Sequence, residues 1–181
     1  MILPYKDNYP QIASSAFIAS NAIIIGDIQI GEKTSIWYNC TVRGDVASTK
    51  IGDGVNIQDN SVLHQSPSIP LYIEDGVTAG HNVVLHACKI KKNALIGISS
   101  TVLDNAVVGE GAMVAAGSLV PPNKEIPPNT LAMGSPAKII RELEDKEIDE
   151  MERIRKSYEE RGQYYKKLEK QYNLKREGDI K

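Results

Sequence analysis

The stretch IKKNALIGISSTVLDNAVVGEGAMVAAGSLVPPNKEI, residues 90–126, returns an aliphatic residue at every sixth position: Ile90, Ile96, Val102, Val108, Val114, Val120 and Ile126. The series also runs upstream as Ile12, Ile18, Ile24, Ile30, Ile36 and Val42, then Ile51, Ile57 and Leu63, then Ile73, Ala79 and Leu85. Four residues after these marks a small or aliphatic residue recurs, among them Ala16, Cys40, Ser61, Ala94, Ser100 and Ala112. Glycine often follows the mark, as at Gly31, Gly52, Gly97 and Gly109. An α-helix turns every 3.6 residues and cannot hold this period on one face. Short strands joined by tight turns can, with aliphatic side chains on one strand face and small residues or glycine at the corners. Three such units make a triangular coil of eighteen residues. Coils stack by parallel pairing roughly 4.8 Å apart, and about seven of them bury a row that one coil could not. The predicted class is mainly β, a parallel β-solenoid over residues 1–138. The competing β-sandwich rests on simple alternation, which the long six-residue series does not follow. The period itself gives no handedness.

The breaks in phase predict loops or bulges at corners. Three extra residues lie between Val42 and Ile51, around Ala47-Ser48-Thr49. Four lie between Leu63 and Ile73, in Ser66–Pro70, and one residue is missing between Leu85 and Ile90. From about Ile139 the period changes. Leu143, Met151, Ile154, Tyr158, Tyr165, Leu168 and Tyr172 recur at helical spacing, with charge pairs such as Asp149/Arg153 and Glu152/Lys156 between them. Residues 139–181 are therefore expected to form an amphipathic helix, with a possible break near Gly162, packing on the solenoid or on a neighbouring subunit.

Composition narrows the function. With 21 basic and 23 acidic residues there is no cationic surplus to neutralise phosphates, so nucleic acid is not an expected partner. One Phe and one Trp suit thin repetitive layers. Cys40 and Cys88 show no CxxC spacing and read as free thiols, Cys40 as core packing, and Cys88 is not needed as a fourth ligand. No run approaches the length of a membrane span, and the first fifteen residues lack a signal pattern. A cytoplasmic location is expected.

The three histidines, His64, His81 and His86, fall within 23 residues. Once the insertions are subtracted, Val42, Leu63 and Leu85 are each one eighteen-residue coil apart. Arg43, His64 and His86 each follow a mark, so they share one outward slot in successive coils. Two imidazoles stacked one coil apart suit a common ion, with metal–nitrogen bonds near 2.0–2.1 Å. His81 is two residues after its mark, on the preceding strand. A symmetric neighbour could present it, and a cyclic trimer would then hold three equivalent sites. The alternative is a set of surface histidines with no role.

These residues resemble the gamma-class carbonic anhydrase family. The resemblance rests on Gly31-Glu32 through Trp37, Val42-Arg43-Gly44-Asp45, Asn56-Ile57-Gln58-Asp59, Ser61-Val62-Leu63-His64, Gly80-His81, Leu85-His86 and Met133–Lys138, spanning about residues 10 to 140. It implies a left-handed β-helix and a homotrimer with the metal between subunits. By that likeness His64 and His86 bind from one subunit and His81 from the next. Arg43 and Asp45 match a pair that ties neighbouring subunits, and Gln58 with Asn56 matches residues that orient the water or bicarbonate. Trp37 and Tyr38 are read as interface packing.

A three-histidine site leaves positions open for water, and the cation lowers that water's pKa to about 7. Hydroxide would attack CO2 to give bicarbonate. Zinc is the expected metal, with Fe(II) or Co(II) as possible substitutes. The chain departs from the family pattern at the proton shuttle. Gln65–Pro70 carries no carboxylate, and Val46 stands where a second glutamate is expected. The expectation is a carbonic anhydrase of modest or condition-dependent activity. Two rivals are a hexapeptide-repeat acyltransferase or thioesterase acting on a coenzyme A thioester, and a non-catalytic metal-stabilised trimeric scaffold.

Overall fold

In the computed structural model, which describes residues 1–178, the six-residue marks point into a closed lumen. Ile24, Ile36, Val42, Ile57, Leu63, Leu85, Ile96, Val102 and Val114 are fully buried there, and the small residues four positions on, such as Cys40, Ser61, Ala94 and Ser100, line the same interior. Successive coils pair in parallel with their marks aligned. Ile18, Ile36, Ile57, Ala79, Ile96 and Val114 are consecutive partners one coil apart. The result is a mainly β, parallel solenoid of about seven turns with one helix at its end.

The strands lie on three faces. One carries Gln11–Ile12, Leu71–Ile73, Lys89–Ile90, Val107–Val108 and Glu125–Ile126. A second carries Phe17–Ile18, Ser35–Ile36, Asn56–Ile57, Thr78–Ala79, Leu95–Ile96, Met113–Val114 and Thr130–Gly134. The third carries Val62–His64, Val84–His86, Thr101–Val102 and Leu119–Val120. Two long strands, Ile23–Ile30 and Thr41–Ile51, bend from the third face onto the first, so both belong to one sheet.

The corners bear out the sequence expectation in part, with glycine at positive φ at Gly54, Gly76, Gly111 and Gly117. More of them are turned by asparagine in the left-handed region, at Asn39, Asn60, Asn82, Asn93, Asn105, Asn123 and Asn129. Asparagine accepts that conformation more readily than most side chains. Glycine after the mark serves close stacking instead. A Cβ on Gly97 would lie 2.5 Å from the Ala116 nitrogen in the next coil.

The three-residue insertion is a bulge within Thr41–Ile51: Gly44 pairs with Gly26, and the ladder resumes with Thr49 opposite Ile28. The four-residue insertion is a turn closed by Ser66 and Ile69. The missing residue coincides with Ala87 at φ 45°.

The tail corrects the sequence reading in three places. Ala137–Glu142 forms a strand antiparallel to Thr130–Gly134, and the helix begins only at Asp145 and runs to Gly178. Ile139 and Ile140 are adjacent and both about half exposed, which suits an edge strand rather than a buried helical stripe. The helix also passes unbroken through Gly162. A Cβ there would approach Ser35 Cβ to 3.0 Å, so the glycine permits close packing. Finally, Arg153 pairs with Glu150 rather than Asp149, while Glu152 and Lys156 pair as expected.

The helix lies on the second face of its own solenoid. Trp37 sits beneath it, with the Tyr158 and Tyr165 rings at 5.4 and 5.2 Å and Phe17 at 5.4 Å. Tyr38 donates to Glu169 of the helix at 2.8 Å. Trp37 and Tyr38 thus pack against the helix of the same chain. Residues 179–181 of the tail lie outside the described residues. No helix among the described residues is long and apolar enough to cross a membrane.

Candidate metal centre

The coil register delivers two histidines to one place. His64 ends the strand Val62–His64, His86 ends Val84–His86, and the two are direct ladder partners. Their ring centroids are 5.3 Å apart, and Nδ1 of His64 faces Nε2 of His86 at 3.2 Å. Both rings are half-buried at the corner between the third and first faces.

Each ring is held from behind by a carboxylate. Nε2 of His64 meets Oδ1 of Asp45 at 3.0 Å, and Asp45 also accepts from Arg43. Nδ1 of His86 meets Oδ1 of Asp104 at 2.6 Å, and Asp104 accepts from the Ser66 hydroxyl through Oδ2. Partial desolvation raises Asp45, but hydrogen bonds from His64 and Arg43 and the Arg43 charge outweigh it and hold the carboxyl below its ordinary range. The Ser66 hydrogen bond lowers Asp104 against partial desolvation, and His86 adds to the lowering.

Both carboxylates are therefore ionised near neutrality, and an ionised carboxylate only accepts hydrogen bonds. The ring nitrogens facing them must carry the protons. In neutral imidazoles this leaves the other two nitrogens, Nδ1 of His64 and Nε2 of His86, with lone pairs opposed at 3.2 Å. That contact requires a cation or an extra proton between them. Two metal–nitrogen bonds of 2.0–2.1 Å at a tetrahedral angle put their nitrogens about 3.3 Å apart. The pair thus fits two ligands of one ion, with outer carboxylates fixing ring orientation in the way metal-binding histidines use them.

His81 stands one corner earlier, where the second face meets the third. Its Nδ1 contacts Oδ2 of Asp59 at 2.9 Å, and its side chain is 42% exposed. Among the described residues no three His, Cys, Asp or Glu side chains converge on a metal position within one chain. The structure thus brings together Arg43, Asp45, His64 and His86 and leaves His81 apart.

Gln58 and Asn56 lie with the His81 corner. They are nearly fully buried; Gln58 Nε2 donates to Asn56 Oδ1 at 3.1 Å, and Asn56 Nδ2 donates to Thr78 Oγ1 at 2.8 Å. Gln58 and Asn56 are therefore fixed in place rather than solvent-facing turn residues. Burial pushes the Cys40 thiol up to about 11 and raises Cys88 further, which makes both poor metal ligands or nucleophiles near neutrality.

Sequence reasoning missed Asp59, Asp104 and Ser66. The signal for the two aspartates was present: Asp59 occupies the slot of His81 one coil earlier, and Asp104 follows His86 by eighteen residues.

Comparison with known proteins gives the family. A family profile described as bacterial transferase hexapeptide (six repeats) matches residues 87–122. A protein named carbonic anhydrase from Geobacillus kaustophilus is 66% identical over 171 residues, covering 94% of each chain. This chain belongs to the gamma-class carbonic anhydrase family. Other relatives of this carbonic anhydrase-family chain bear transferase names. The uncharacterized transferase YtoA of Bacillus subtilis is 58% identical, covering 93% of this chain and 99% of that one. A crystal structure of a putative acetyltransferase from Bacillus cereus superposes with a TM-score of 0.92 at 60% identity, covering 92% of this chain and 97% of that one.

Proposed function

We propose that this chain is a metal-dependent carbonic anhydrase, interconverting CO2 and bicarbonate at sites shared between subunits of a homotrimer. The observation that carries the reading is the opposed pair of His64 and His86 nitrogens, each ring anchored by an aspartate on its far side. His64 and His86 of one subunit would hold the ion, with His81 presented by the neighbour. Zinc fits three imidazoles, and Fe(II) and Co(II) are acceptable substitutes. When bound, the cation supplies Lewis acidity that makes hydroxide available at neutral pH.

The chain's own residues then have distinct tasks. Asp45, steadied by Arg43, keeps His64 in the tautomer that presents Nδ1. Gln58 has its amide nitrogen committed to Asn56. Its Oε1 is left to accept the hydrogen of the attacking oxygen and aim a lone pair at the carbon of CO2. The proton released in forming hydroxide must reach solvent. Gln65–Pro70 offers no carboxylate, and Asp45 and Asp104 are already engaged. Proton export therefore falls to buffer, and turnover rises with buffer concentration.

Stopped-flow CO2 hydration by zinc- and iron-loaded protein at increasing imidazole tests this. A buffer-dependent rate is expected; no rate above the buffer blank with either metal removes the enzyme reading and leaves a metal-stabilised scaffold. The transferase names of two close relatives favour a second reading, acyl transfer from a coenzyme A thioester. Acetyl-CoA turnover that survives chelation would establish it.

A further inference from the structure

We propose that Asp104, clamped by Ser66, is the positioning residue that sets the tautomer of His86. The inference rests on His86 being a metal ligand, as proposed above, and adds a task for the inserted turn. Ser66 opens the four-residue insertion, and Asp104 lies 38 residues downstream. The two meet because the insertion folds along the corner while the intervening coil is shortened at Ala87. The Ser66–Asp104 contact is made where the inserted turn and the shortened corner lie side by side. In the position where the family pattern expects an acidic loop, this chain has a turn that grips a carboxylate from another coil.

The grip gives the carboxylate a direction. The Ser66 hydroxyl occupies Oδ2, which leaves Oδ1 for Nδ1 of His86 at 2.6 Å. A carboxylate can only accept, so the proton stays on Nδ1 and the Nε2 lone pair faces His64. Asp104→Asn keeps the shape and inverts the logic. While the Ser66 hydroxyl donates to the amide oxygen, the amide N–H faces Nδ1 and favours a proton on Nε2. That proton then occupies the space between the two rings.

The test uses the full-length protein in its native assembly and has two readouts. In the metal-free state, nitrogen-15 NMR of the imidazoles reports the His86 tautomer; the wild type is expected to carry its proton on Nδ1, and D104N to move it to Nε2. In a competition titration with zinc, D104N is expected to lose about 10–100-fold in affinity and S66A less than about tenfold, the range found for outer-shell partners of metal ligands. A D104N protein with the wild-type His86 spectrum and unchanged zinc affinity overturns the proposal. If D104N does not fold, Asp104→Ala, which removes the acceptor altogether, takes its place, and a wild-type His86 spectrum with unchanged zinc affinity overturns the proposal. If the wild type itself binds no zinc, the functional reading fails, and the tautomer readout still judges Asp104.

Discussion

Replacing Gly44 by alanine tests how the backbone delivers Asp45 to His64. Gly44 sits opposite Gly26 where the strand Thr41–Ile51 begins to bulge. A Cβ on Gly44 would lie 2.7 Å from the carbonyl oxygen of Asp27 and 2.7 Å from Cδ1 of Ile28. Ile28 is fully buried, and the Asp27 oxygen is backbone, so neither can simply rotate away. Ordinary contact starts at 3.4 Å, so the shortfall from 2.7 Å is about 0.7 Å, and the two strands must part by a comparable amount. Overpacking of this kind costs about 1–3 kcal/mol.

The same shift acts on Asp45, the next residue, whose bond to His64 is 3.0 Å. Lengthening it by several tenths of an ångström takes it past the ~3.2 Å limit of a good hydrogen bond. Zinc affinity should then fall by about tenfold or more. Gly117 is the control. It has φ +69° with no atom within 4 Å of a Cβ, so alanine there meets only the left-handed backbone penalty of about 1–2 kcal/mol. Urea unfolding of the metal-free protein and a zinc competition titration separate the two. G44A loses stability and zinc affinity together; G117A loses stability alone. A G44A protein within about 0.5 kcal/mol of wild type and equal in zinc affinity would refute the reasoning.

Other outcomes follow from the same geometry. Leu85→Ala empties a fully buried lumen position between Leu63 and Val102 and should cost about 2–5 kcal/mol by urea denaturation. Gly162→Ala gains about 1 kcal/mol of helix propensity but overpacks Ser35 at a cost of about 1–3 kcal/mol. The expected result is a net loss, with a red-shifted Trp37 emission as the helix lifts. Glu147 is held down to about 2 from 4.5, first by Arg141 and then by the Glu144 amide. A depressed carboxyl stabilises the helix start above its unfolded value and loses that effect as pH falls through about 2. The Glu144 amide should therefore exchange faster in E147Q than in wild type at pH 7, with the difference vanishing below about 2.

Much of this architecture was legible because the solenoid converts sequence distance into spatial position. Subtracting the insertions placed His64 on His86, and the ladder pairs them directly. What was hidden depended on side chains reaching between coils. Asp59 and Asp104 obey the same spacing as the histidines, but an aspartate at a corner looks like any solvated turn residue until its partner is known. Asp45 reads with Arg43 as a pair tying neighbouring subunits, and within the chain its Oδ1 meets His64 while Arg43 donates to Oδ2. The tail misled for a different reason. The six-residue period ends near Ile139, yet Ala137–Glu142 pairs back on Thr130–Gly134, and the Tyr158 and Tyr165 stripe belongs to a helix that starts later. Gly162 resembled a break because its use, close approach to Ser35, lies in a coil more than a hundred residues away.

Subunit complementation tests the shared site most directly. H81N and H64N, each unable to bind zinc alone, are co-expressed and purified as mixed trimers. If the ion lies between His64 and His86 of one subunit and His81 of the next, each mixed trimer holds one complete site of its three, and zinc content recovers to about a third of wild type. Mixed trimers that stay as empty as either variant alone, or an H81N protein that binds zinc as tightly as wild type, would contradict the account.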